Sequence, residues 1–261
     1  MRSPVHSFVL IFFTFILFNA NVLSQSGVAQ INKEATSAYE SGDYEVAIIK
    51  WKQLYRSGNS DPDLFINIGN THSMLGNVPD AIMFYEKAKR YRAADSELQR
   101  AIKNERNKIA DAVVPIQPFF LIEWVHAFLS FLRPGIWAAI GLGFLLIAVI
   151  KWLMSLNAIT VNGFYVRGRN AIYLISGILF IVISGLSYKQ IYRLDEGIIL
   201  SVCELKQGPS AQSPLIRVVN PGEKVMLKDH ISGWYKVNLL NLDEGWLEGD
   251  CLSVINVRDR S

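Results

Sequence analysis

Glu123 and His126 stand three residues apart, and a carboxylate one helical turn from an imidazole is the simplest pair that could move a proton. Residues 119–132 around them are apolar, and nothing else there completes a site. A charge at the centre of a bilayer costs roughly 2.5–3.5 kcal/mol, so the pair reads better as the polar edge of an interfacial helix, residues 113–134. The histidines, at 6, 72, 126 and 230, have no metal-ligand spacing, and the two cysteines, Cys203 and Cys251, form no Cys-x-x-Cys. No Ser/His/Asp or Cys/His arrangement is present in a segment that could fold around it. The expectation is a chain that is not an enzyme, with no catalytic residue, no metal and no cofactor. The residues best suited to a contact are aromatic: Trp234 and Tyr235 in "GWYKV" (233–237) and Trp246 in "GWL" (245–247).

The elements that must position them begin at the N-terminus. Residues 1–24 have a basic Arg2, an apolar run over 8–18, and small Val22 and Ser24 before Gln25, which is the pattern of a secretory signal peptide. An uncleaved anchor is the alternative, and both export residue 30. The net charge of +3 arises in the middle: residues 116–193 hold six Lys or Arg against one acid. That excess lies beside apolar segments, so it has a topological explanation and gives no support to nucleic-acid binding.

Residues 28–95 repeat at a lag of 34: Ala35 recurs as Gly69, Gly42 as Gly76, Ala47 as Ala81, Ile48 as Ile82 and Trp51 as Tyr85. This resembles the tetratricopeptide (TPR) repeat. Small residues at 69 and 81 let two antiparallel helices approach, and glycines mark the helix–helix turns. The amphipathic stripe at residues 95–111 reads as a capping helix, which makes 25–112 a TPR superhelix that binds a partner segment.

Residues 135–156 and 170–188 are the membrane-spanning candidates, joined by a loop over 157–169 that carries Arg167 and Arg169. Export of residue 30 makes that loop cytoplasmic, as the positive-inside rule prefers. An even number of spans returns the C-terminal part to the side of the repeats, the periplasm.

Six short strand-like runs between residues 198 and 257 are separated by turn signals. "LKQGPS" (205–210), "NPGEKV" (220–225), "GWYKV" and "GWL" resemble the bacterial SH3-like domain in order and spacing, which implies a small all-β barrel over 197–257. Strand alternation points Tyr235 and Val237 one way and Trp234 and Lys236 the other, with Tyr235 and Val237 toward the core. Two roles stay open for the tryptophans, barrel core or ligand groove, so Trp234, Tyr235 and Trp246 form the candidate protein-binding set. In such a barrel Cys203, on the first strand, neighbours Cys251, before the last, and in an exported protein this suggests a disulfide.

The expected whole is a multidomain membrane protein: an all-α TPR superhelix, a two-helix transmembrane hairpin and an SH3-like barrel. That order resembles the BatE-type proteins of the Bat aerotolerance operons. The resemblance implies an inner-membrane envelope scaffold linked to stress or oxygen tolerance, with protein partners such as von Willebrand A-domain membrane proteins. A cell-wall peptide sensor is the alternative. A wall hydrolase is the third class considered, and it lacks a catalytic constellation.

Overall fold

The computed structural model describes residues 27–109, 120–157 and 163–257; the expected signal peptide lies outside them. Five helices come first: α1 (27–40), α2 (Tyr44–Arg56), α3 (Pro62–Met74), α4 (Val78–Lys89) and α5 (Ser96–Arg106). Their starts follow local chemistry. Asp43, Asp61 and Asp95 are N-caps whose carboxylates accept backbone N–H groups of the first turn, and Pro62 opens α3, where a missing N–H costs nothing. Gly42 and Gly76 sit in the turns at φ +83° and +76°, a region cheap only for glycine.

The helices pair as α1/α2 and α3/α4, with α2 and α4 beginning 34 residues apart. Gly69 is the closest approach: a Cβ there would lie 2.6 Å from the Tyr85 ring. Tyr85 donates to Asn70 Oδ1 at 2.7 Å, and Trp51 Nε1 donates to Asn32 Oδ1 at 3.1 Å, so each aromatic is fixed to the helix it faces. Phe65, Ile68, Ala81 and Ala88 close the core between them.

Three apolar helices follow: α6 (Phe120–Ser130), α7 (Pro134–Asn157) and α8 (Gly163–Ile191). Two of them are long and apolar enough to cross a membrane, over Pro134–Met154 and Asn170–Ile191. They cross at glycines, where a Cβ on Gly141 would meet Gly177 O at 3.0 Å and one on Gly177 would meet Leu145 at 2.7 Å. The second span, expected over 170–188, covers Asn170–Ile191, and its helix α8 begins earlier, at Gly163, within the expected loop. Arg167 and Arg169 lie within that helix, because helical backbone bonding continues past the end of an apolar stretch when no Pro interrupts it. Ser187 Oγ donates to Leu129 O, and Gln190 Nε2 donates to His126 O. By these contacts α6 runs antiparallel beside the last turns of α8.

The C-terminal sheet has seven antiparallel strands in the order β3-β2-β6-β5-β4-β1-β7. They are β1 (Glu196–Ile199), β2 (Cys203–Lys206), β3 (Leu215–Val219), β4 (Lys224–Ile231), β5 (Trp234–Leu239), β6 (Glu244–Glu248) and β7 (Leu252–Val254). The first expected run, residues 198–202, stays in a strand only to Ile199, and a strand that was not expected, β2, follows it. Leu200 and Ser201 both donate their N–H to Cys251 O, which takes the chain out of β1 before β2 begins. Cys203 therefore opens the second strand, and β7 pairs with β1, not with the cysteine's own strand. Ile199, Leu205, Val219, Val225, Val237, Leu239 and Leu247 fill the interior.

The barrel rests on α4. Ile82 and Met83 pack against Ile198 and Ile255. Gly222, at φ +92°, lets its turn close on Ile109 and Ile82, where a Cβ would come within 2.7 Å of the Ile109 side chain. Beside this apolar contact runs a buried chain of charges. Glu86 on α4, 3% exposed, accepts from Arg106 at 2.8 Å and from Lys224 of β4 at 2.9 Å. Lys224 also meets Glu196 of β1 at 3.0 Å, and Glu196 meets Arg90 at 3.3 Å and Arg193 at 2.7 Å. Burial alone would raise the Glu86 pKa; Lys224, Lys89 and Arg106 outweigh it and hold the carboxyl at about 2. Glu196 is lowered in the same way, with burial opposed chiefly by Lys224 and Arg193.

Candidate functional site

The β4–β5 hairpin turns on Ser232 and Gly233, both at positive φ (49° and 83°), as a two-residue hairpin loop demands. The chain thus re-enters the sheet at Trp234. Alternation along β5 sends Val237 and Leu239 into the core and leaves Trp234 and Lys236 on the outer face. On β6 the same face carries Trp246, paired with Lys236, and Glu248, paired with Trp234. Gly245 makes this arrangement possible. A Cβ there would lie 2.7 Å from Leu205 and 2.8 Å from Lys206 O, so only glycine brings β6 against β2 and sets Trp246 opposite Lys206.

A cleft of about 540 Å³ opens on this face. Trp234 forms one wall, Val202 and Val218 supply apolar surface, and Glu204, Glu248 and Asp250 bring carboxylates against the single cation, Lys206. Lys206 Nζ stands 5.9 Å from the Trp234 ring and 3.2 Å from Glu204. Cys203 and Cys251 are joined as a disulfide, with Cα atoms 6.0 Å apart, and both line the cleft. The bond ties the start of β2 to the 3-10 turn Gly249–Cys251, which carries Asp250. An aromatic wall with three acids suits an extended segment bearing an amine or guanidinium, held by charge and by cation–π contact.

Of the three aromatic candidates, the structure puts Trp234 in the cleft and Trp246 on the same face. It does not bring Tyr235 to them. Tyr235 lies on the other face of the sheet, packs against the barrel core and sets its ring 4.4 Å from that of His230, tilted by 40°, in a separate cleft. Period-two geometry is the reason, since adjacent strand residues cannot share a face. Glu204, Lys206, Glu248 and Asp250 were missed by reasoning from motifs. The signal for three of them was there: Glu204 and Lys206 alternate along β2, and Glu248 follows Trp246 by two.

The other chemistry-bearing residues lie elsewhere. His72 is buried against Phe84, ring to ring at 5.8 Å, and burial, against the pull of Asp80, brings its pKa down to about 4. Glu123 is exposed on α6, while His126 is half-buried toward α8, its pKa lowered by burial and then by Arg193. His6 lies outside the described residues.

No curated protein matches the chain. One family model does match, across the strands that build the cleft, from the turn before β2 to β7. Residues 201–253 carry a bacterial SH3 domain.

Proposed function

We propose that this chain is a non-enzymatic membrane scaffold whose helical repeats and SH3 domain hold protein partners in a complex of the cell envelope. One observation carries the reading. The barrel that contains the SH3 domain keeps the Trp234 cleft open while a different set of its residues, Ile198, Gly222, Lys224 and Ile255, is fastened to α4 and its surroundings. Such a domain presents a ligand surface in a fixed orientation and does no chemistry itself.

In this reading α1–α4 are tetratricopeptide repeats with α5 as their cap; the 34-residue spacing and the Gly69–Tyr85 approach support it. Residues 1–24 direct export, α7 and α8 span the inner membrane, and repeats and barrel share the periplasm. The order of parts, similar to that of BatE-type aerotolerance proteins, supports von Willebrand A-domain membrane proteins as partners and a role in stress or oxygen tolerance. A second reading, a cell-wall peptide receptor, is favoured by the acidic lining of the cleft, which suits the free amines of wall peptides.

A photo-crosslinking residue placed at Trp234 of the full chain in its native membrane separates the two. Crosslinks to a von Willebrand A-domain membrane protein support the scaffold; crosslinks to wall peptides select the receptor. Equal crosslinking from position 234 and from an exposed control such as Ile49 removes the cleft from both.

A further inference from the structure

We propose that the cavity where the α2–α3 loop meets the membrane end of α7 and α8 binds the headgroup of a zwitterionic phospholipid. The phosphate is held by Arg133 and the ammonium by Asp61. The inference rests on α7 and α8 being membrane spans.

The cavity has about 660 Å³, within the range of small-molecule sites. Its position is defined by the spans. Arg133 immediately precedes the apolar segment Pro134–Met154, and Tyr188 and Tyr192 stand at the end of Asn170–Ile191. Both borders therefore fall at one membrane surface, where headgroups lie and tyrosine is enriched. The opposite wall comes from the helical domain, through Asp61 and Tyr91.

Charge selects the headgroup. Arg133 and Asp61 pair at 3.0 Å, yet their side chains are 63% and 42% exposed, so both have directions open to a ligand. A guanidinium suits a phosphodiester, which it can grip with two parallel N–H bonds. A carboxylate beside tyrosine rings suits an ammonium group. The site has no net charge from this pair, so it matches a neutral headgroup carrying both signs and gives an anionic lipid a carboxylate to avoid. Ile136, exposed on α7 just inside the membrane boundary, continues the path along which an acyl chain would lie.

The test uses the full chain inserted in nanodiscs of equal phosphatidylethanolamine and phosphatidylglycerol, with retained lipid read by native mass spectrometry. Wild type is expected to carry phosphatidylethanolamine in preference. Arg133→Gln should lower its retention roughly tenfold, with Arg133→Lys recovering part of it. Asp61→Asn keeps the α3 cap, since asparagine also accepts from the Asp63 N–H, but should move the preference toward phosphatidylglycerol. Equal retention of both lipids, or retention unchanged by these substitutions, overturns the inference while leaving the spans intact. Binding of soluble glycerophosphoethanolamine as tight as that of the lipid overturns the lipid assignment. A chain that stays in solution without detergent overturns this site and the spanning reading together.

Discussion

Glu86→Gln removes one charge from the centre of the contact between helices and barrel, and the effect follows from its surroundings. The ordinary glutamate pKa is 4.5, and the Lys224, Lys89 and Arg106 charges bring this one to about 2. That difference corresponds to about 3 kcal/mol favouring the docked, ionised state. Because the folded pKa is the depressed one, the stabilisation is complete above about pH 5 and is lost as pH falls toward 2. At pH 3 roughly 1 kcal/mol remains. Glu196, lowered in the same network, adds a loss of the same sign over the acidic range. Glutamine keeps the shape and one acceptor, so packing of Ile82 against Ile198 should survive. The assay is thermal and urea unfolding of the full chain in detergent, followed by tryptophan fluorescence, for wild type and variant at several pH values. The expected result is a gap of about 3 kcal/mol at pH 7 that narrows by more than half at pH 3. Equal stabilities at pH 7, or a gap indifferent to pH, would refute the claim that this carboxylate holds the two parts together.

Other substitutions probe single contacts. Gly69→Ala drives a methyl group into the Tyr85 ring, which its bond to Asn70 keeps from swinging away, and should cost about 1–3 kcal/mol in the melting of the helical part. Replacing Cys203 and Cys251 together by serine opens a cross-link spanning 48 residues and should destabilise the barrel by about 2–4 kcal/mol, seen equally when wild type is reduced. Trp234→Ala should leave the barrel folded, with a loss of about 1 kcal/mol because the side chain is only half-buried, while abolishing capture of the cleft's ligand in a binding assay.

Local patterns were legible in the sequence, and contacts between distant segments were not. Glycines at 42 and 76 and the Asp-Pro at 61–62 announce helix turns through backbone chemistry that needs no tertiary context. Alternation in 234–239 announces which residues enter the barrel, and Val237 and Leu239 do so. The break between β1 and β2 was hidden, because its cause is a carbonyl at Cys251, some fifty residues away, and no glycine or proline marks it. Glu86, Lys224 and Glu196 look like ordinary surface charges until the fold buries them against each other. Ile82 fits a helical repeat core by spacing alone, and nothing along the chain says that a barrel covers it. For the cleft, the aromatic wall stood out by residue type; alternation marks Glu204 and Glu248 as face residues, but only the pairing that sets β2 beside β6 gathers their charges around Trp234.

Only four residues, 192–195, separate the end of α8 from the start of β1. Fully stretched they reach about 14 Å, so the barrel has no tether on which to swing outward. In the proposed topology, with α8 spanning the membrane, whatever enters the Trp234 cleft is bound close to the bilayer. In that topology the short connection also couples the orientation of the barrel to that of α8.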